Sequence, residues 1–151
     1  YFGHGNYSRS IDYLHKIIND NNTDLRTDLQ CYARVLHLMA HYELGNYELV
    51  EHLTRSVYRF MAKMENLTVI EEAMFKFLRN NFYVPAKKLQ PAFNGFLQTI
   101  KQFEKSRFQT RSFAYLDIIS WVESKVNNKP MSTIIRNKYL ESKRAKSRVI
   151  Q

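Results

Sequence analysis

Gly5-Asn6-Tyr7 and Gly45-Asn46-Tyr47 place one tripeptide twice in the chain, forty residues apart and in the same register. An aromatic residue, Phe2 or Tyr42, precedes each copy, and a long helical pattern follows each tyrosine. Glycine supplies the positive φ that ends one helix, and asparagine caps the next. A period between about 20 and 50 residues marks a helical repeat array, whose units present a curved surface to a partner and rarely do chemistry.

The pattern extends in both directions from these turns. Ile11, Leu14, Ile17 and Ile18 line one face of a helix over Tyr7–Asn19, which the polar run Asn19-Asp20-Asn21-Asn22 ends. A second helix spans Leu25–Glu43, and its stripe is wide enough to pack on more than one neighbour. A third, Tyr47–Met64, buries Leu49, Val50, Leu53, Val57, Phe60 and Met61. Thr68 and Glu71 read as a capping box opening the fourth, behind which come Ile70, Met74, Phe77, Leu78 and Phe82. The fifth starts at Pro85 or at Pro91, with Leu89, Phe93, Phe96, Leu97, Ile100 and Phe103 on its core side. The sixth runs from Thr110 to Lys125 with Phe113, Leu116, Ile119 and Trp121 inward. Asn127-Asn128-Lys129 form the last turn, and Pro130 opens a seventh helix carrying Met131, Ile134, Ile135 and Tyr139. The stretch 143–151 is basic and poor in apolar groups, so it is expected to fray.

Breaks near 5, 45, 85 and 127 fall close to one ladder. The expected architecture is all-α: a right-handed solenoid of about seven helices in antiparallel hairpins, one domain over 1–142 with a tail at 143–151. Tyr1-Phe2-Gly3 reads as the end of a helix, so the first helix is expected to be the second half of a hairpin cut short.

Gly5-Asn6-Tyr7-Ser8-Arg9-Ser10-Ile11-Asp12-Tyr13-Leu14 resembles the turn and second helix of a tetratricopeptide repeat, with Tyr7, Ser10 and Leu14 at the family's positions. Leu44-Gly45-Asn46-Tyr47 matches the turn. Val50 and Thr54 then stand where the family has a small residue and an aromatic one, and Leu38 where it has glycine. The resemblance implies a bacterial protein-binding scaffold whose concave surface is lined by the first helix of each hairpin.

Composition narrows the function classes. The chain has 151 residues, 44% apolar, with four Gly and three Pro. No stretch reaches the ~18 consecutive apolar residues of a membrane span, so no membrane partner is expected. A single cysteine, Cys31, reads as a structural thiol and fits a reducing, cytoplasmic compartment. No phosphate-cradling Gly loop, nucleophile elbow or Cys/His triad occurs, so neither enzyme activity nor a cofactor is expected. Glu71 and Glu72 are adjacent and point different ways on a helix. His37 and His41 have metal-ligand spacing and His52 is near in sequence, but the pair reads as core histidines, with no metal site.

Two surfaces remain as candidates. Tyr32, Met39 and Tyr42 on the second helix are the expected lining of a peptide groove, where amphipathic aromatics flank an adaptable methionine. The charge supplies the other. Residues 1–75 carry seven Lys/Arg against ten Asp/Glu, and residues 76–151 carry sixteen against four. Lys76, Arg79, Lys87, Lys88, Arg107 and Arg111 form the candidate basic patch for an acidic protein partner or for phosphates. The leading expectation is a non-catalytic protein–protein interaction scaffold holding a peptide or helix. The alternatives are a nucleic-acid-associated accessory protein and a C-terminal module of a larger protein whose activity lies upstream.

Overall fold

In the computed structural model the described residues are 1–20, 27–64, 67, 69–81, 86–102 and 118–150. They form a 3-10 turn, Phe2–His4 (η1), and the helices α1 (Tyr7–Ile18), α2 (Thr27–Glu43), α3 (Tyr47–Lys63), α4 (Val69–Asn80), α5 (Ala86–Lys101), α6 (Ile118–Asn127) and α7 (Met131–Ile150). No strand occurs among the described residues, so the all-α expectation is met. None of the described helices is long and apolar enough to cross a membrane.

The repeated tripeptide builds the same turn twice. Gly5 and Gly45 sit at φ +81° and +78°. In the second copy the Gly45 N–H reaches the Tyr42 carbonyl and the Asn46 N–H the His41 carbonyl, both at 3.1 Å. The first copy repeats this from Gly5 to Phe2 and from Asn6 to Tyr1, both at 3.0 Å. This is the Schellman closure, which satisfies carbonyls that a helix end leaves orphaned. Asn128 at φ 50° makes a third closure, with the Lys129 N–H 3.1 Å from the Ser124 carbonyl. The two asparagines then diverge. Asn6 caps α1 by accepting from the Arg9 N–H at 3.3 Å. Asn46, expected to cap α3 in the same way, makes no side-chain cap and donates its amide to His41 Nδ1 at 3.1 Å.

Packing follows chain order: α1 on α2, α2 on α3, α3 on α4, α5 on α6 and α6 on α7. Leu38, Val50 and Thr54, the departures from the repeat pattern, are all buried. The Thr54 hydroxyl is satisfied by donating to the Val50 carbonyl at 2.7 Å. Helices α4 and α5 meet more narrowly, through Phe77 stacked on Phe96 at 4.6 Å and tilted on Phe93 at 4.9 Å.

Two features depart from an array in which each unit touches only its neighbours. α7 packs back onto η1. Trp121 and Lys125 of α6 both reach Glu43 at the end of α2. The chain therefore closes on itself around an aromatic centre of Tyr42, Phe93 and Trp121.

Two helix boundaries bear on the expectations. α5 begins at Ala86, so Pro91 lies inside it rather than opening it. The stretch 143–150, expected as a frayed tail, is helical in this structure: α7 continues to Ile150. Leu140, Glu141, Lys143, Arg144, Ala145 and Lys146 are strong helix formers, and propensity sustains a helix that apolar content alone would not. Thr68, Phe82, Phe103, Thr110, Phe113 and Leu116 lie outside the described residues.

Candidate functional site

The expected peptide groove is not available as a surface. Met39 is 0% exposed and Tyr42 5%, so both belong to the core. The wide stripe of α2 is the reason: α1 and α3 pack on it, and α6 covers its end. Tyr42 makes edge contacts with Tyr47 and Trp121, both at 5.8 Å, and burial pushes its hydroxyl well above the usual tyrosine range. Tyr32 stays half-buried, with its pKa also raised by burial.

The basic-patch residues divide. Lys76 and Arg79 are exposed on α4, and the Arg79 guanidinium lies 5.8 Å from the Tyr58 ring on α3. Lys88 is exposed on α5; Lys87 belongs to the same helix, and its side chain lies outside the described residues. Arg107 and Arg111 lie outside them entirely.

Three polar constellations take shape in the tertiary structure, of which the first has no sign in the sequence reading. The first is centred on Glu43, whose side chain is only 7% exposed. Its Oε1 accepts from Trp121 Nε1 at 2.7 Å, and its other oxygen pairs with Lys125. Tyr7 lies close enough that burial, aided by the Glu43 charge, raises its hydroxyl pKa to about 12. This node ties α6 to α2 across 78 and 82 residues of chain, so it locks the closure. Glu43→Gln keeps an acceptor for the indole and removes the charge facing Lys125. It is expected to cost about 1–2 kcal/mol in chemical denaturation.

The second is a histidine cluster. His37 packs on His41 at 4.6 Å and on His15 of α1 at 4.7 Å. The third ring comes from α1, not from His52 across the turn. No group of three His, Cys, Asp or Glu among the described residues is placed to hold a metal ion. His37 is 7% exposed with Nε2 unpartnered, and burial first, then His41, His15 and Arg34, bring its pKa down to about 4. It is held neutral in the core. Glu71 and Glu72 face different ways, as their adjacency requires: Glu71 is buried and Glu72 exposed.

The third is the second half of α7. Ile134 is its one residue in the core, and Lys138 anchors it to α6 through Ser120 at 3.0 Å and Glu123 at 3.1 Å. From Tyr139 to Ile150 every residue is exposed, Val149 at 86%. At about 1.5 Å per residue, that half extends roughly 18 Å along its axis. The helix carries Arg136, Lys138, Lys143, Arg144, Lys146 and Arg148 against one acid, Glu141. The signal for it was present in the helix-forming composition of 140–146, a stretch that apolar content alone assigns to a frayed tail.

Comparison with protein-family models, with curated proteins and with solved structures gives no match for this chain.

Proposed function

We propose that the protein is a non-catalytic interaction module of tetratricopeptide-like helical hairpins, and that its partner is a polyanionic macromolecule held by α7. The observation that carries this reading is a basic helix ordered to Ile150 with solvent around its whole second half. An unpacked helical segment of this length is marginal in water, and its cations repel one another. A partner lined with phosphates or carboxylates removes that repulsion and releases counterions. The hairpin reading is supported by the matched Schellman turns at Gly5 and Gly45 and by packing in chain order. Non-catalytic action is supported by what the clustered polar groups do: Glu43 is spent on a structural node and His37 is a core side chain.

The test is fluorescence anisotropy of the protein with a labelled single-stranded oligonucleotide, titrated from low to physiological salt. Micromolar binding that weakens steeply with salt is expected. Lys143→Glu with Arg144→Glu should weaken it at least tenfold at low salt and reduce the salt slope by about 2. Binding that is absent at low salt, or untouched by that double substitution, would remove α7 from the mechanism.

A further inference from the structure

A second exposed feature lies where the N-terminal turn folds over α1. Tyr1 and Tyr13 stack with ring centroids 5.3 Å apart and planes within 7°. They are 54% and 46% exposed. A nearly parallel pair at that separation is slid sideways, so part of each face stays open. The Arg9 guanidinium lies 5.1 Å from the Tyr1 ring, and the Lys16 ammonium lies 5.1 Å from the Tyr13 ring.

The arrangement follows from local sequence. Arg9, Tyr13 and Lys16 step by four and three along α1 and so share one face. The closure at Gly5 turns η1 back so that Tyr1 lies over that face. The neighbouring Tyr13 hydroxyl raises the Tyr1 hydroxyl pKa. α7 packs on η1, the turn that directly follows Tyr1 in the chain, so the basic helix and the pair are joined through that turn.

Aromatic faces interleaved with cations are what unpaired bases and their phosphates need together. A duplex hides its base faces in its own stack, and an acidic peptide offers carboxylates but no base faces to stack. We infer that the cation-flanked pair Tyr1–Tyr13 is a stacking platform for bases of a single-stranded nucleic acid whose phosphates are held by Arg9, Lys16 and α7. This deepens the polyanion reading above and rests on it.

The experiment compares two labelled strands of equal length and equal phosphate number, one of deoxythymidines and one abasic, at the same low salt. The platform predicts that the thymidine strand binds roughly tenfold tighter. Tyr13→Ala should abolish that preference while leaving the weaker, abasic-like affinity, and Tyr13→Phe, which keeps the ring, should retain the preference. A thermal melt of each variant, followed by circular dichroism, establishes that it is folded. Equal binding of the two strands by the unmodified protein overturns the platform and leaves the α7 reading standing. A thymidine preference that survives in folded Tyr13→Ala also overturns it, because the stacking surface is then elsewhere. Failure to bind either strand overturns both readings.

Discussion

Trp121→Ala is expected to lower the stability of the folded chain by about 4 kcal/mol, the largest loss from any single substitution considered for this protein. Trp121 is 1% exposed and heads the fully buried side chains by volume. Its ring meets Tyr42 and Phe93 edge-on at 5.8 Å, joining α6 to α2 and to α5. Truncation empties that volume and also removes the indole donor from Glu43. Small domains have a total stability of about 5–15 kcal/mol, so the alanine variant stands near the unfolding threshold. Trp121→Phe keeps most of the packing and loses the hydrogen bond, and is expected to cost about 1–2 kcal/mol. Urea denaturation followed by circular dichroism checks both. A loss under 1 kcal/mol for the alanine variant would mean that α6 does not close on α2 in solution.

Acidification is expected to destabilise the protein by about 3 kcal/mol between pH 6.5 and 4 through His37. The folded state holds this imidazole neutral, with its pKa down at about 4 against an ordinary histidine value of 6.5. Across that window the unfolded chain binds a proton that the folded chain refuses. Stability is therefore complete above the unfolded pKa and falls as the pH drops toward the folded one. The groups facing His37 are His15 from α1 with Arg34 and His41 from its own helix. All act against protonation. The His41 pKa is also lowered, which adds to the loss in the same direction. His37→Leu removes the proton site and an unpartnered buried nitrogen. At neutral pH it should cost little or stabilise, and its denaturation midpoint should vary much less between pH 6.5 and 4 than that of the parent. A parent midpoint that stays flat across this range would place His37 in contact with water.

Much of the fold was legible before any coordinates. The two Gly-Asn-Tyr turns, the Asn128 turn and the starts of α1, α3 and α7 depend on backbone chemistry local to a few residues. The first residue of α5 was not decided by such signals, because Pro85 and Pro91 satisfy the same rule. The site was far less legible. Tyr32, Met39 and Tyr42 lie on one helix, and the repeat resemblance implied a groove-lining face; α6 arriving from far along the chain turned the last of them inward. His15 could not be joined to His37 and His41 from spacing, because the contact crosses between α1 and α2. The helix over 143–150 accords with local propensity, whereas apolar content alone argued for a frayed tail.

Helix content, turn chemistry and the uneven charge are properties of short stretches, set by φ/ψ preferences, caps and side-chain type, so they stand in the residues themselves. Which apolar face is covered is a different kind of fact. It depends on which helices meet, and the meeting of α2 with α6, or of η1 with α7, is decided by burying total apolar area between segments far apart in the chain. Only the tertiary structure could therefore place Tyr42 in the core, spend Glu43 on Trp121 and Lys125, and leave the basic half of α7 and the Tyr1–Tyr13 pair facing water.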